Sequence, residues 1–367
     1  MKSVYIHIPF CSNICSYCDF SKMFYNENYA DKYLEALEKE IKENYKNEEI
    51  KTIYIGGGTP SSLNLNQLKK LLDITNIFKT NNLEEFTIEC NPEHLDEEKI
   101  KLFTNYKVNR LSLGVQTFND QYLKYLNRCH NKEMVFDVIK LLKKYNFNNI
   151  NIDLIYALKG QTIDELKEDI KIFKSLDIPH ISAYSLIIEP NTILYNQNTE
   201  NIDEDLDLEM HNVILEELKD YDHYEISNYG KKGFYSKHNL VYWNNEQYYG
   251  FGMGASGYIG NIRYDHTRSF NNYINGKYIK NQQELSKNEI IENEFILGFR
   301  KMDGINLDDF YKKYEINILD IDIVKILIKE GKLTKVKNNI CIAKDYIYTC
   351  NDILIEFLGI DYELYII

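Results

Sequence analysis

Tyr5-Ile6-His7-Ile8-Pro9-Phe10-Cys11-Ser12-Asn13-Ile14-Cys15-Ser16-Tyr17-Cys18-Asp19-Phe20 sets the organisation of this 367-residue chain. An apolar, β-branched segment runs into a loop carrying three of the seven cysteines, spaced C-x3-C-x2-C. Three thiolates hold three irons of a cubane [4Fe-4S] cluster and leave the fourth iron open, since full protein ligation takes four. A structural zinc site wants four ligands, commonly in two separated pairs, and this loop has no partner pair. Cys11, Cys15 and Cys18 are therefore the expected metal ligands. Cys90, Cys129, Cys341 and Cys350 read as small buried hydrophobes.

Around this loop, strand-like and helix-like segments alternate. Ser3–Ile8, Thr52–Ile55, Glu85–Cys90, Arg110–Val115, Asn149–Ile155 and His180–Ile187 read as strands. Between them, apolar residues recur at helical spacing, as in Tyr33, Leu34, Leu37 and Ile41. Six strands alternating with helices imply an α/β fold with a parallel sheet, barrel-like or doubly wound. The chemistry-bearing motifs all fall at the C-terminal ends of these strands, where α/β barrels place their active sites. After Glu189-Pro190 the rhythm breaks into a helix over 205–218 and an aromatic, glycine-rich region. The polar stretch 271–287 lacks periodicity and reads as a boundary. Short helices and a hairpin beyond it suggest a small winged-helix-like module.

Hydrophobic residues make up 44% and charged residues 27%, the balance of a globular chain able to bury a sizeable core. The formal charge of -13 disfavours a nucleic-acid partner, because Lys and Arg are interspersed with Asp and Glu and form no basic patch. No apolar run reaches a membrane span, and the N-terminus lacks a leader pattern. Clustered thiols at metal spacing point to a reducing compartment, and the expected location is cytoplasmic.

The cysteine triplet resembles the signature of the radical SAM superfamily, in which S-adenosyl-L-methionine chelates the open iron. Further motifs appear in order: Gly56-Gly57-Gly58-Thr59-Pro60, Thr87-Ile88-Glu89-Cys90-Asn91-Pro92-Glu93, Gly114-Val115-Gln116-Thr117-Phe118, Leu126-Asn127-Arg128 and Asp153-Leu154-Ile155-Tyr156. Together they resemble the oxygen-independent coproporphyrinogen III oxidases and their relatives over residues 3–190. The resemblance implies a partial (β/α)6 barrel at 1–190, a family-specific extension at 191–275 and a C-terminal winged-helix-like domain at 288–367. It also implies that Tyr5, Gly57 and Glu89 contact the cluster-bound S-adenosylmethionine, with Tyr17 on the adenine side. Gly58, Thr59, Gln116, Arg128 and Asp153 would line the adjoining ligand space. His7, inside the first strand, reads instead as a buried hydrogen-bonding residue.

Two features separate the branches of that family. The oxidases carry a fourth cysteine two positions after the third, where this chain has Phe20. His238-Asn239-Leu240-Val241-Tyr242-Trp243 matches the H-N-x-x-Y-W motif of the HemW-type haem chaperones, with His238 as the implied haem ligand. The resemblance thus implies a chaperone that binds haem and passes it to acceptor haemoproteins, including at the membrane, as a monomer or haem-dependent dimer. The alternative is coproporphyrinogen III oxidase activity. Ala157-Leu158-Lys159-Gly160-Gln161-Thr162 departs from the Gly-Leu-Pro-Gly-Gln-Thr usual in these relatives, with no change of function expected.

Overall fold

The computed structural model describes residues 2–365. Strands β1 (Lys2–Ile8), β2 (Ile50–Gly57), β3 (Glu85–Cys90), β4 (Arg110–Gln116), β5 (Ile150–Tyr156) and β6 (His180–Ser185) lie side by side, parallel and in chain order. Helices α1 (Glu27–Asn44), α2 (Leu65–Thr75), α3 (Glu97–Asn105), α4 (Lys132–Lys144) and α5 (Ile163–Ser175) return the chain between them. Each begins at a side-chain cap, on Asn26, Asn64, Asp96, Asn131 and Thr162. A cap of this kind contributes about 1 kcal/mol. The apolar stripe of α1 is the one its periodicity announces: Tyr33, Leu34, Leu37 and Ile41 are fully buried.

The two faces of the parallel strands differ sharply. Val4, Ile6, Ile8, Ile53, Ile55, Leu111 and Leu113 point outward and are buried in one continuous core under the helices. The alternate positions turn inward and are polar: Ser3 and Tyr5 on β1, Thr52 and Tyr54 on β2, Glu85 and Glu89 on β3, Arg110 and Ser112 on β4. A parallel strand covered on both faces usually reads as a continuous apolar run. Here the period of two survives because the interior of the curved sheet is a hydrogen-bonded polar lumen. Thr52 Oγ1 donates to Ser3 Oγ at 2.8 Å, and Asn151 Nδ2 donates to Ser112 Oγ at 2.8 Å.

Beyond β6 the chain forms α6 (Glu204–Glu217) and then extends the sheet at both edges. β7 (Asp222–Glu225) and β8 (Asn228–Gly230) pair with each other, and β8 runs antiparallel to β6. Helix α7 (Lys237–Trp243) crosses to the other edge, where β9 (Tyr248–Phe251) lies parallel to β1. β10 (Ser256–Ile259), β11 (Ile262–His266) and β12 (Ile279–Glu284) follow antiparallel, completing a twelve-stranded sheet. The polar stretch 271–287, read from its lack of periodicity as a boundary, holds most of the helix Phe270–Ile274 and the edge strand β12. All six residues of β12 are exposed, which is why no hydrophobic alternation marks it.

A second, separate core joins α8 (Lys287–Gly298), α9 (Leu307–Tyr314) and α10 (Asp322–Lys329) to β13 (Leu333–Val336) and β14 (Asn339–Ile342). Phe295 sits at its centre, with ring centroids 4.6 Å from Phe357 and 5.1 Å from Phe310. Among the described residues no helix is long and apolar enough to cross a membrane.

Candidate functional site

At the C-terminal ends of the parallel strands the lumen opens into a cleft of 420 Å³. It gathers Cys11, Cys15, Cys18, Tyr17, Gly57, Gly58, Thr59, Glu89, Gln116, Arg128 and Asp153 onto one surface. The cysteine loop is pinned at three points. Met23 N donates to Pro9 O at 2.7 Å, Tyr25 N donates to Cys11 O at 2.8 Å, and Ser16 N donates to Leu126 O at 3.1 Å. The last bond ties the loop to the turn that carries Arg128. Tyr17 packs beside Leu126, Leu158 and Leu186 in a small apolar cluster at the cleft wall.

The glycine turn after β2 is part of the same unit. Gly58 N donates to Ile8 O and Thr59 N to Phe10 O, both at 2.8 Å. A Cβ on Gly58 would lie 2.9 Å from both carbonyl oxygens, so the backbones meet only if it is glycine. Gly57 has φ +110°, and a Cβ there would lie 2.4 Å from the His7 ring. Thr59 Oγ1 approaches Cys11 Sγ at 3.7 Å.

Glu89 binds the turn from below. Its Oε2 accepts from Gly57 N at 2.9 Å and its Oε1 accepts from Tyr54 OH at 2.7 Å. Burial pushes the Glu89 carboxyl up to about 7, with Asp153 adding to the effect against the hydrogen bond from Tyr54. Burial raises Asp153 as well, opposed by the bond it accepts from Asn151 Nδ2 at 2.7 Å. Opposite them, Arg128 Nη1 donates to Cys15 Sγ at 3.2 Å and Nη2 to Asn91 Oδ1 at 2.9 Å and to the Gly114 carbonyl. Behind Arg128, Glu93 is held down at about 2: burial would raise it, but His130 and Arg128 outweigh that. Gln116, at the end of β4, has φ +72°, an uncommon conformation for a residue with a side chain and one that occurs at ligand sites.

This donor set fits the groups that the cysteine spacing implies. Three soft thiols on one loop, one of them facing a guanidinium, suit an iron–sulfur cubane with one iron unassigned. Glu89 and Asp153, both disfavoured as anions in this cleft, suit a ligand that brings positive charge. The bare backbone of Gly57 and Gly58 leaves room for it.

Three residues lie outside that surface. Tyr5 does not line the cleft: it stacks on Tyr54, centroids 6.1 Å apart, and shares a hydrogen bond with His7 Nδ1 at 3.0 Å. His7 is buried, its Nε2 bonded to Ser21 O at 2.7 Å, and burial lowers it to about 4. His238 lies one layer beneath the cleft, on α7, where it is fully buried. Its Nδ1 pairs with Thr52 Oγ1 at 2.7 Å and its Nε2 with Tyr242 OH at 2.8 Å. Burial lowers it to about 3, so it stays neutral. Cys90, Cys341 and Cys350 are buried as expected, but Cys129 is exposed, because the turn that aims Arg128 inward leaves its neighbour facing out.

Tyr54, Asn91 and His130 are site residues that motif reading passes over. Tyr54 was accessible through register: Thr52 and Tyr54 share the inward face with Ser3 and Tyr5, which pair with them across the sheet. Asn91 lies inside a quoted motif without a role assigned to it, and His130 follows Arg128 by two positions with no spacing of its own.

Residues 5–173 match the radical SAM superfamily. Over 324 residues the chain is 45% identical to the heme chaperone HemW of Lactococcus lactis subsp. lactis (strain IL1403), covering 86% of this chain and 85% of that one. It is 39% identical to the heme chaperone HemW of Bacillus subtilis (strain 168), over 98% of this chain and all of that protein. In structure it superposes on coproporphyrinogen III oxidase (HemN) from Escherichia coli with a TM-score of 0.84, at 21% identity, across 97% of this chain and 90% of that one. That likeness is one of fold. With relatives of this identity over most of its length and a cleft built from the superfamily's motif positions, the chain belongs to the HemW family of radical SAM proteins.

Proposed function

We propose that this chain binds haem and delivers it to acceptor haemoproteins, carrying a [4Fe-4S] cluster on Cys11, Cys15 and Cys18 with S-adenosylmethionine against Gly57, Gly58, Thr59 and Glu89. When bound, the cluster and S-adenosylmethionine together supply one-electron chemistry at a carbon–sulfur bond. The chain's own residues hold and orient: Glu89 fixes the turn, Arg128 donates to the Cys15 thiol, and Tyr17 walls the cleft.

The observation that carries the chaperone reading is position 20. Phe20 sits at the mouth of the cleft, 63% exposed, two residues after Cys18, where the oxidases carry a further thiol. Ile187, 64% exposed and lining the same cleft, adds apolar surface. A flat, largely apolar macrocycle gains from such a rim, and a thiol-dependent step has no thiol there. The names of the relatives point the same way.

Haem ligation by His238 belongs to this proposal in a specific form. Nε2 is covered by the Tyr242 hydroxyl and the ring is fully buried, so iron reaches it only after α7 draws back from the lumen. The test is anaerobic cluster reconstitution followed by haem titration of the native chain and of His238→Ala. Equal haem affinity in the two removes His238 as the ligand. Conversion of coproporphyrinogen III to protoporphyrinogen in the presence of S-adenosylmethionine would replace the chaperone reading with the oxidase one.

A further inference from the structure

Helix α7 is bolted into the barrel from below. Glu85, on the inner face of β3, caps its start: Oε2 accepts from Lys237 N at 2.8 Å and Oε1 from His238 N at 3.2 Å. Its far end is held by the second domain. Lys301 Nζ donates to Asn244 Oδ1 at 2.8 Å, Asn245 Nδ2 donates to Ile290 O at 3.1 Å, and the Arg300 guanidinium lies 5.9 Å from the Trp243 ring. Between these anchors, the His238 ring lies against Tyr54, centroids 5.2 Å apart and planes inclined by 30°.

The tautomer follows from the bonds around it. Thr52 Oγ1 gives its proton to Ser3 Oγ, so it accepts from His238 Nδ1–H. Nε2 is then the acceptor of the Tyr242 hydroxyl proton. A neutral ring with both nitrogens engaged is rigid, and what it braces is Tyr54. Tyr54 in turn donates to Glu89 Oε1, and Glu89 Oε2 holds Gly57 N–H. From the lumen floor to the glycine turn every link is a hydrogen bond or a ring contact.

We propose that His238 is a positioning residue for the glycine turn: it braces Tyr54, which sets the Glu89 carboxylate, which sets Gly57. This rests on the reading that S-adenosylmethionine occupies that turn. It gives the H-N-x-x-Y-W helix a task in the closed state that is separate from haem. The chain of contacts is one-directional in sequence terms as well, for no residue of α7 lines the cleft itself.

The test uses the full chain with its cluster reconstituted anaerobically. S-Adenosylmethionine affinity is read by equilibrium dialysis and by the change the ligand makes in the reduced cluster's electron paramagnetic resonance spectrum. His238→Ala and Tyr54→Phe are each expected to weaken binding about tenfold, the scale of losing one hydrogen bond, with iron content unchanged. His238→Gln, which can still donate to Thr52 and accept from Tyr242, is expected to recover most of the affinity. A purely scaffolding histidine would give no such recovery and would lower iron content with affinity. Should His238→Ala fail to fold, Tyr242→Phe takes its place: it removes the hydroxyl that holds His238 Nε2 and leaves the packing, and unchanged affinity there overturns the proposal.

Unchanged affinity in Tyr54→Phe, or in a folded His238→Ala, overturns the proposal. So does a His238→Ala protein that loses haem binding while its S-adenosylmethionine affinity stays native, which would assign the residue to haem alone. If the native chain binds no S-adenosylmethionine, the cofactor reading itself fails and this proposal falls with it.

Discussion

Replacing Glu89 by glutamine should leave stability near native in acid and raise it at neutral pH and above. Burial raises this carboxyl from 4.5 to about 7. Below 4.5 the group is protonated whether the chain is folded or unfolded, and it exerts no pH-dependent penalty. Between 4.5 and 7 the unfolded chain releases the proton and the folded chain keeps it, so stability falls as pH rises. Above 7 both forms are ionised and the penalty is constant. Its ceiling is about 3 kcal/mol, reduced to about 2 by water in the open cleft. Glutamine removes the penalty, and its single oxygen accepts from Tyr54 OH or Gly57 N–H and not both, the same limit that the protonated carboxyl already meets below about 7. The variant should thus match the native chain to within about 1 kcal/mol near pH 4.5 and be more stable by about 2 kcal/mol at pH 8. Urea unfolding of the cluster-free proteins, followed by circular dichroism, measures the difference at each pH. Other groups that titrate in this range, such as Asp169 at about 6 and Glu225 at about 7, cancel when one curve is subtracted from the other. A flat difference from pH 4.5 to 8 would refute both the buried state of Glu89 and the role assigned to it.

Gly57→Ala should abolish S-adenosylmethionine binding in an otherwise folded protein, because the added Cβ meets the His7 ring and the turn must open; dialysis against the labelled ligand checks it. Ala157→Gly should stabilise the chain by about 1 kcal/mol in thermal unfolding, since Ala157 has φ +61° and pays the cost of a left-handed conformation that glycine avoids. Phe295→Ala should cost about 3–5 kcal/mol and melt the second domain ahead of the barrel, visible as a split in the unfolding curve.

Much of the barrel was legible because its parallel strands and helices obey local rules. Arg110–Val115 and Glu85–Cys90 are bounded by turn chemistry, and Asp96 announces α3 as a cap. The cleft was legible for a different reason: its residues sit in short runs whose backbone does the positioning, as Gly57 and Gly58 do. What escaped was long-range. Nothing near Ile279–Glu284 reveals that β11 is waiting for an edge strand, because an exposed strand has no apolar face to advertise. Nothing near His238 shows that Thr52, 186 residues away, occupies one of its nitrogens. The departure at Ala157 is visible in sequence, but its consequence is not: the strain falls on the alanine that stands for the first glycine, at φ +61°, and not on the missing proline.

The division of each parallel strand into an outward apolar set and an inward polar set places two different constraints on its residues. Outward residues answer to the helices and can change only in company with their neighbours. Inward residues answer to one another through hydrogen bonds, and a swap there removes a partner without opening a hole in the hydrophobic core. The same arrangement makes register unforgiving: a slip of one residue in any strand would trade the two sets wholesale. Sequence can drift within each set, but alignment cannot.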